Sequence, residues 1–476
     1  MLRRGLLATA GLAAAGSLGE LAAAALTATA ARPPVAPRWL SRPDLRIPGL
    51  TVLSRAEGVS EDPIFIAPYN APGGAQAGAV IAENSGEPLW ENPLAGKVTT
   101  NFRVQRYRSS PVLVWWEGDI ELGHGVGEYV IADAAYRTVR RVQAAGGLRG
   151  DLHEFVITPA GTALLTSYVV RDADLREVGG PANGTIQDAI FQEIDLTSGR
   201  LLIEWHSFGA IALGESYVPV TSDWDFFHIN SVDLDRDGNF LVSARSTHTI
   251  YKIDRRGRIL WRLGGKGGDF ELGPGASFAW QHDVRRQPDG TLTVFDNGAT
   301  PAVEKRSRAL IVDLDESAMT AKLQRQFTHP KVLSGSQGSV QRLANGNVFV
   351  GWGEVPRVSE FDASGRLVFD ALLGSGYECY RAFRQPWSGS PAEAPAIAVA
   401  GRPGERTAYA SWNGASAVAH WRLLSASSPD SLVARSEVPR RGFETALPIS
   451  GESPFVAVEA LDAARRPLGR SATFAA

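Results

Sequence analysis

Three of the chain's eight histidines occupy one repeated position. His153 stands eight residues before Gly161, His282 eight before Gly290, and His228 ten before Gly238. Side chains on a strand alternate with a period of two, so eight and ten place a residue on the same face. Each of these glycines sits in a turn (PAG, DRDG, QPDG) between two apolar runs, which is a hairpin pattern. Counting forward seven from each glycine gives Tyr168, Arg245 and Asn297. A hairpin brings the start of its first strand beside the end of its second, so His228 falls near Arg245 and His282 near Asn297. Asn230, in the same FFHIN segment as His228, joins Tyr168 and Asn297 as a substrate-binding candidate.

Imidazole, guanidinium and amide groups gathered at one place are all donors, and they suit a tetrahedral oxyanion whose charge develops during a reaction. One imidazole can also serve as a nucleophile that takes a transferable group onto nitrogen. It must be neutral to attack, and a reference pKa of about 6.5 beside an arginine favours that form. One arginine among neutral donors fits a monoanionic sulfate ester better than a phosphate dianion. The competing chemistry is a metal centre with imidazole ligands. Arg245 argues against it, because a guanidinium repels a cation and cannot shed its proton. No metal and no cofactor is therefore expected. The bland alternative is that these histidines only hydrogen-bond neighbouring strands.

The elements that must position these residues form a repeat. Gly238 to Gly290 spans 52 residues and Gly290 to Gly346 spans 56, while Gly161 to Gly238 is lengthened to 77 by a Gly/Pro/Asn-rich insert. Each unit supplies four short strands. An earlier unit runs through RVQRY, VLVWWEG, YVIAD and TVRRVQA, and a three-strand remnant (IFIAPY, AVIAEN, EPLWEN) precedes it. A strand from residues 380–386 would complete that remnant. The fold class expected is all-β: a six-bladed β-propeller over 46–393, with seven blades as the alternative and a β-helix as the runner-up. The first strand of each blade would line the central channel and bring the histidines to one mouth. Glu117 is expected at the rim and His124 in a loop. His248 is expected in a solvated turn, and Glu154 and Asp283 facing away from the channel. His206, His329 and His420 have no support from the register. After Pro386 the pattern changes, and 394–476 reads as a small immunoglobulin- or fibronectin-like β-sandwich.

Composition narrows the partners. A net charge of -3 over 476 residues offers no basic excess for nucleic acid. A single cysteine, Cys379, excludes an internal disulfide. Residues 1–30 carry Arg3-Arg4, a weakly apolar stretch and a small-residue site at Ala28-Thr29-Ala30, the pattern of a twin-arginine export signal. Residues 31–45 follow as a Pro/Arg-rich arm. The expectation is an exported protein, periplasmic or extracellular, with no membrane span once the signal is removed; an uncleaved anchor is the alternative.

The segments DLHEFVITPAGTALLTSY, FFHINSVDLDRDGNFLVSARSTHTIYKID, ILWRLGGKGGDFEL, FAWQHDVRRQPDGTLTVFDNG and GSVQRLANGNVFVGWG together resemble the PAPS-independent arylsulfotransferases. The resemblance runs over about 50–425. It implies a six-bladed propeller that moves a sulfuryl group from an aryl sulfate donor to a phenolic acceptor, without a nucleotide, by ping-pong through a sulfated histidine. By motif position it implies His282 as the nucleophile, with His153, His228 and Arg245 as catalytic sulfate-binding partners. It departs from the enterobacterial type, which carries an N-terminal sandwich and a cysteine pair. A metal-dependent propeller hydrolase or oxygenase, or a non-catalytic binding propeller, remain the alternatives.

Overall fold

In a computed structural model, residues 38–475 are described, apart from Pro403 and Glu452. The export signal and most of the arm lie outside the described residues. The described chain is all-β, broken only by three single-turn 3-10 segments. Among the described residues no helix is long and apolar enough to cross a membrane.

Six sheets follow one another along the chain, built mainly from consecutive antiparallel strands, with Glu271–Leu272 added in parallel at the edge of the fifth. The second joins Val98–Tyr107, Ser110–Glu121, His124–Ala132 and Thr138–Val142; the third joins Phe155–Ile157, Thr162–Ala173, Gly184–Asp195 and Leu201–His206. The fourth holds Ile229–Leu234, Phe240–Ala244, Thr249–Ile253 and Ile259–Gly264. The fifth holds His282–Arg286, Leu292–Asp296, Arg308–Asp315 and Thr320–Thr328. The two remaining sheets tie the chain's ends together. Phe383–Arg384 pairs with Ile64–Ile66 and completes the first sheet, and Thr51–Arg55 pairs with Leu367–Leu372 at the edge of the sixth. The segment 380–386 therefore supplies the missing strand.

Between successive sheets lie apolar clusters, such as Phe191, Trp205, Phe227, Phe240 and Tyr251 between the third and fourth. Two further sheets, from strands between Ala396 and Ala475, share a core of Ala408, Trp421, Leu423, Leu447, Val456 and Val458. The part of the arm that is described is not loose. Trp39 lies 4.9 Å from Phe443 ring to ring, and Ile47 donates its N–H to the buried Glu91 carboxylate.

The first strands of the fourth and fifth sheets carry register shifts, between Ile229 and Ser231 and between His282 and Arg285. Such bulges re-aim side chains. Here they coincide with left-handed backbone at non-glycine residues, φ +54° at His228, +59° at Trp280 and +52° at Asp283. Conformations of this kind cost free energy and persist where packing enforces them.

One expectation is corrected by the ion pairs at the centre. Glu154 and Asp283 do not face away from the centre. Arg285 bonds both Glu154 and Asp283, and the fully buried Arg381 reaches both as well. With Arg103 they form an ion network that joins strands from several sheets.

Candidate active site

The hairpin argument places the key groups correctly. The Arg245 N–H donates to the His228 carbonyl at 2.9 Å, and His282 Nδ1 lies 2.7 Å from Asn297 Oδ1. The rings of His153 and His228 are 4.8 Å apart. Tyr380 stands 5.4 Å from His153 and 6.5 Å from His282, ring to ring, with its hydroxyl on the Asn230 carbonyl. Arg245 lies over Trp280 at 4.8 Å, gives one N–H to the Gly335 carbonyl, and keeps a buried Nε with no partner. Tyr168 donates to the Ile229 carbonyl, and Asn230 donates to the Gln281 carbonyl, so that it ties the two histidine-bearing strands together.

The three histidines differ in what faces Nδ1, and that difference sorts their chemistry. On His282 both neighbours of Nδ1 are acceptors, Asn297 Oδ1 and the Trp280 carbonyl. The Asn297 amide cannot flip, because its Nδ2 donates to the Ser334 and Gln337 carbonyls. Nδ1 therefore carries the proton, and Nε2 carries a lone pair that accepts the Gln337 N–H at 3.2 Å. Burial, then the charges of Arg245 and His228, push this imidazole well below 6.5. It is a neutral base whose Nε2 lone pair is free for another partner once the Gln337 N–H lets go of it.

His153 and His228 are backed by carboxylates. Asp151 Oδ2 lies 2.7 Å from His153 Nδ1 and also accepts from the His153 N–H and Thr166. Asp225 Oδ2 accepts the Nδ1–H of His228. Burial alone would raise both carboxyls, but His153 holds Asp151 well below the usual range and His228 holds Asp225 near 2. With Nδ1 fixed as a donor, Nε2 of each ring is a base when neutral and a donor only as imidazolium. Burial lowers the His228 pKa and Asp225 opposes that fall. These two rings are suited to moving protons. His228 and Asp225 are the more exposed members of the cluster, at 15% and 24% of their side chains, against 4% for His153.

Two expectations are overturned here. His124 is not a loop residue. It opens the strand His124–Ala132, is buried, stacks on Tyr168 at 3.7 Å and lies 5.4 Å from His228. Counting from turn glycines considered only the first two strands of each unit, and His124 begins a third. His248 is not solvated either: it lies flat on Tyr217 at 4.1 Å and edge-on to Trp280 at 4.2 Å, and burial followed by Arg245 lowers it to about 4. Glu117 pairs with Arg141, outside the histidine cluster. His206 and His329 have acidic neighbours of their own, and His420 lies on a strand beyond residue 400. Asp151, Asp225, Trp280, Gln337 and Tyr380 escaped the sequence reading, which followed the histidines and their hairpin partners.

A family model described as Arylsulfotransferase (ASST) matches residues 103–374. No curated relative matches. Among solved structures, a protein of unknown function from Bacteroides caccae is similar at 14% identity and a TM-score of 0.43, covering 68% of this chain and 98% of its own. A catalytically inactive virginiamycin B lyase from Staphylococcus aureus with quinupristin is similar at 11% identity and 0.35, covering 77% and 96%. The Cps50 (Swd1) β-propeller domain of Myceliophteria thermophila is similar at 14% and 0.33, covering 67% and 97%.

Proposed function

The chain belongs to the arylsulfotransferase family, whose model spans more than half of it, and from that premise we propose that it moves a sulfuryl group from a phenolic sulfate ester to a phenolic acceptor without a nucleotide donor. The six successive sheets are the blades of a propeller, and the two C-terminal sheets a small sandwich. An exported location follows from the N-terminal sequence alone.

The sulfate oxygens face Arg245 and His153. The His282 Nε2 lone pair attacks sulfur. The N–S bond forms as the bond from sulfur to the aryl oxygen breaks, and the released electron pair stays on that oxygen. His228, as imidazolium, gives its Nε2 proton to the departing phenolate, and Asp225 balances its charge meanwhile. The sulfated His282 keeps its Nδ1–H on Asn297, so the ring becomes cationic and its bond to the amide becomes charge-assisted. In the second half an acceptor phenol loses its proton to the now neutral His228, attacks sulfur and restores His282. Phenols exchange beside His228 and Asp225, the more exposed members of the cluster.

The observation that carries this assignment is the contrast at Nδ1: an amide oxygen behind His282, carboxylates behind His153 and His228. A carboxylate behind the nucleophile would favour its imidazolium form; an amide does not. The test is incubation with an aryl sulfate and no acceptor, followed by peptide mapping under alkaline conditions. One acid-labile sulfate on the peptide containing His282 is expected, with one phenol released per chain. Sulfate on another residue, or none with the donor intact, overturns the assignment.

A further inference from the structure

His124 has no role in the reaction above, yet it is nine-tenths buried and neither of its ring nitrogens has a hydrogen-bond partner among the described residues. Oδ1 of Asp225 is buried and equally unsatisfied. Three such atoms on two adjacent side chains require an account, since buried polar groups are almost always paired or bound to an ion. His124 Nε2 lies 3.4 Å from Asp225 Oδ2. Two ligands on a tetrahedral zinc, with bonds of about 2.0–2.1 Å, stand about 3.3 Å apart. One ligand atom from each of His124, Asp225 and His228 lies within 4.8 Å of the others.

We propose that His124, Asp225 and His228 form a site for a divalent transition metal of the zinc class, and that its occupation stops transfer by withdrawing His228 from proton movement. The second half of this proposal rests on the role given to His228 above; the first does not. Two imidazoles and a carboxylate suit zinc, whereas magnesium and calcium prefer oxygen alone. A parallel trio, His124, Asp151 and His153, meets the same distance limit. It is the weaker choice, because both Asp151 oxygens already serve other groups: Gly125 N–H on one, His153 and Thr166 on the other. The charge of Arg245, which would oppose a cation, is offset by the carboxylates of Asp225 and Glu354. Tyr168, stacked on the His124 ring, fixes its orientation as supporting groups around metal sites do.

The test is calorimetric titration of chelator-treated full-length protein with zinc chloride. One zinc per chain is expected, with no heat from magnesium, and His124→Asn should lower zinc affinity by at least about 10- to 100-fold. Asp225→Asn is the second variant, and the visible bands of bound cobalt(II) in the wild type report four-coordinate nitrogen and oxygen ligation without any substitution. Absence of zinc binding, octahedral cobalt bands, or unchanged affinity in both variants overturns the site. Zinc should also abolish the burst of phenol release in the wild type while His124→Asn protein keeps its burst. Zinc that binds through His124 without slowing the burst overturns the inhibitory half alone. A protein that binds zinc as expected but shows no burst in its absence sinks the sulfuryl-transfer reading and leaves the metal site standing.

Discussion

Replacing Asn297 by alanine isolates what the amide does for the nucleophile. In the resting site the 2.7 Å bond from His282 Nδ1 to Asn297 Oδ1 joins two neutral groups, worth about 1 kcal/mol. When Nε2 carries a sulfuryl group the ring is cationic, and the same bond rises to about 1.5–3 kcal/mol. Only the strengthening accelerates the step, about 0.5–2 kcal/mol by difference. The Trp280 carbonyl, 3.1 Å from the same nitrogen, recovers part of that. The burst rate constant should therefore fall about 2- to 30-fold, since 1.4 kcal/mol corresponds to a factor of ten. Burst amplitude should hold at one phenol per chain.

The substitution also leaves the buried Ser334 and Gln337 carbonyls without their donor, so the melting temperature should drop too, and rates belong well below it. Stopped-flow release of nitrophenolate from an aryl sulfate reads the burst directly. Asn297→Asp is the paired test: a carboxylate behind Nδ1 raises the His282 pKa, so an acidic limb absent from the wild type should enter the pH–rate profile. A rate within error of wild type in Asn297→Ala, together with an unchanged profile in Asn297→Asp, refutes the division of labour between amide-backed and carboxylate-backed rings.

His282→Ala should fold normally, as judged by its unfolding midpoint, yet release no burst; a full burst from that variant removes His282 as the nucleophile. Asp225→Asn should slow turnover most with phenols that are poor leaving groups and least with nitrophenols, which leave without a proton; equal slowing of both contradicts an acid role for His228. The folded pKa of His124 is depressed to about 4, burial being the main cause, so its contribution is complete above its unfolded value of about 6.5 and is lost on acidification, at up to about 1.4 kcal/mol per pH unit. Denaturant unfolding between pH 7 and 4.5 should show the wild type losing more stability than His124→Asn, and parallel curves would contradict a buried neutral ring. Glu91 runs the other way: burial raises it to about 7 despite bonds from Ile47 and Trp39, so its contribution is present at low pH and lost as pH rises through 7. Against Glu91→Gln, the wild type should lose stability between pH 5 and 8, and a constant offset would refute the shift.

Sequence reading reached the all-β class, the hairpins and the nearness of four candidate residues because these share one cause. A turn glycine fixes a hairpin's register, and register fixes which residues stand at its open end. His153, His228, Arg245 and His282 are each a set number of positions from such a turn. What register does not fix stayed hidden. Asp151 lies two residues before its histidine and Asp225 three before its own, so no spacing marks them as a pair. His124 comes from the start of a third strand in a neighbouring sheet, and only the packing of sheets brings it onto Tyr168. Asp283 was misplaced because strict alternation fails at a bulge, where the chain gains a residue and the next side chain turns inward; Glu154 lies just before its strand, where alternation does not apply.

The hidden residues decide how the visible ones behave. Three imidazoles at matching positions of a repeat would be chemically alike if the repeat alone set their surroundings. What separates them lies outside the repeat: Asn297 directly follows the second strand of His282's own hairpin, whereas Asp151 and Asp225 come from the connections leading into the other two. Those connections differ in length and sequence from sheet to sheet, and there a carboxylate can be placed behind one ring and withheld from another without disturbing the strands. A repeat can thus bring several copies of one side chain to a common mouth, while the irregular segments between its sheets assign each copy its protonation state.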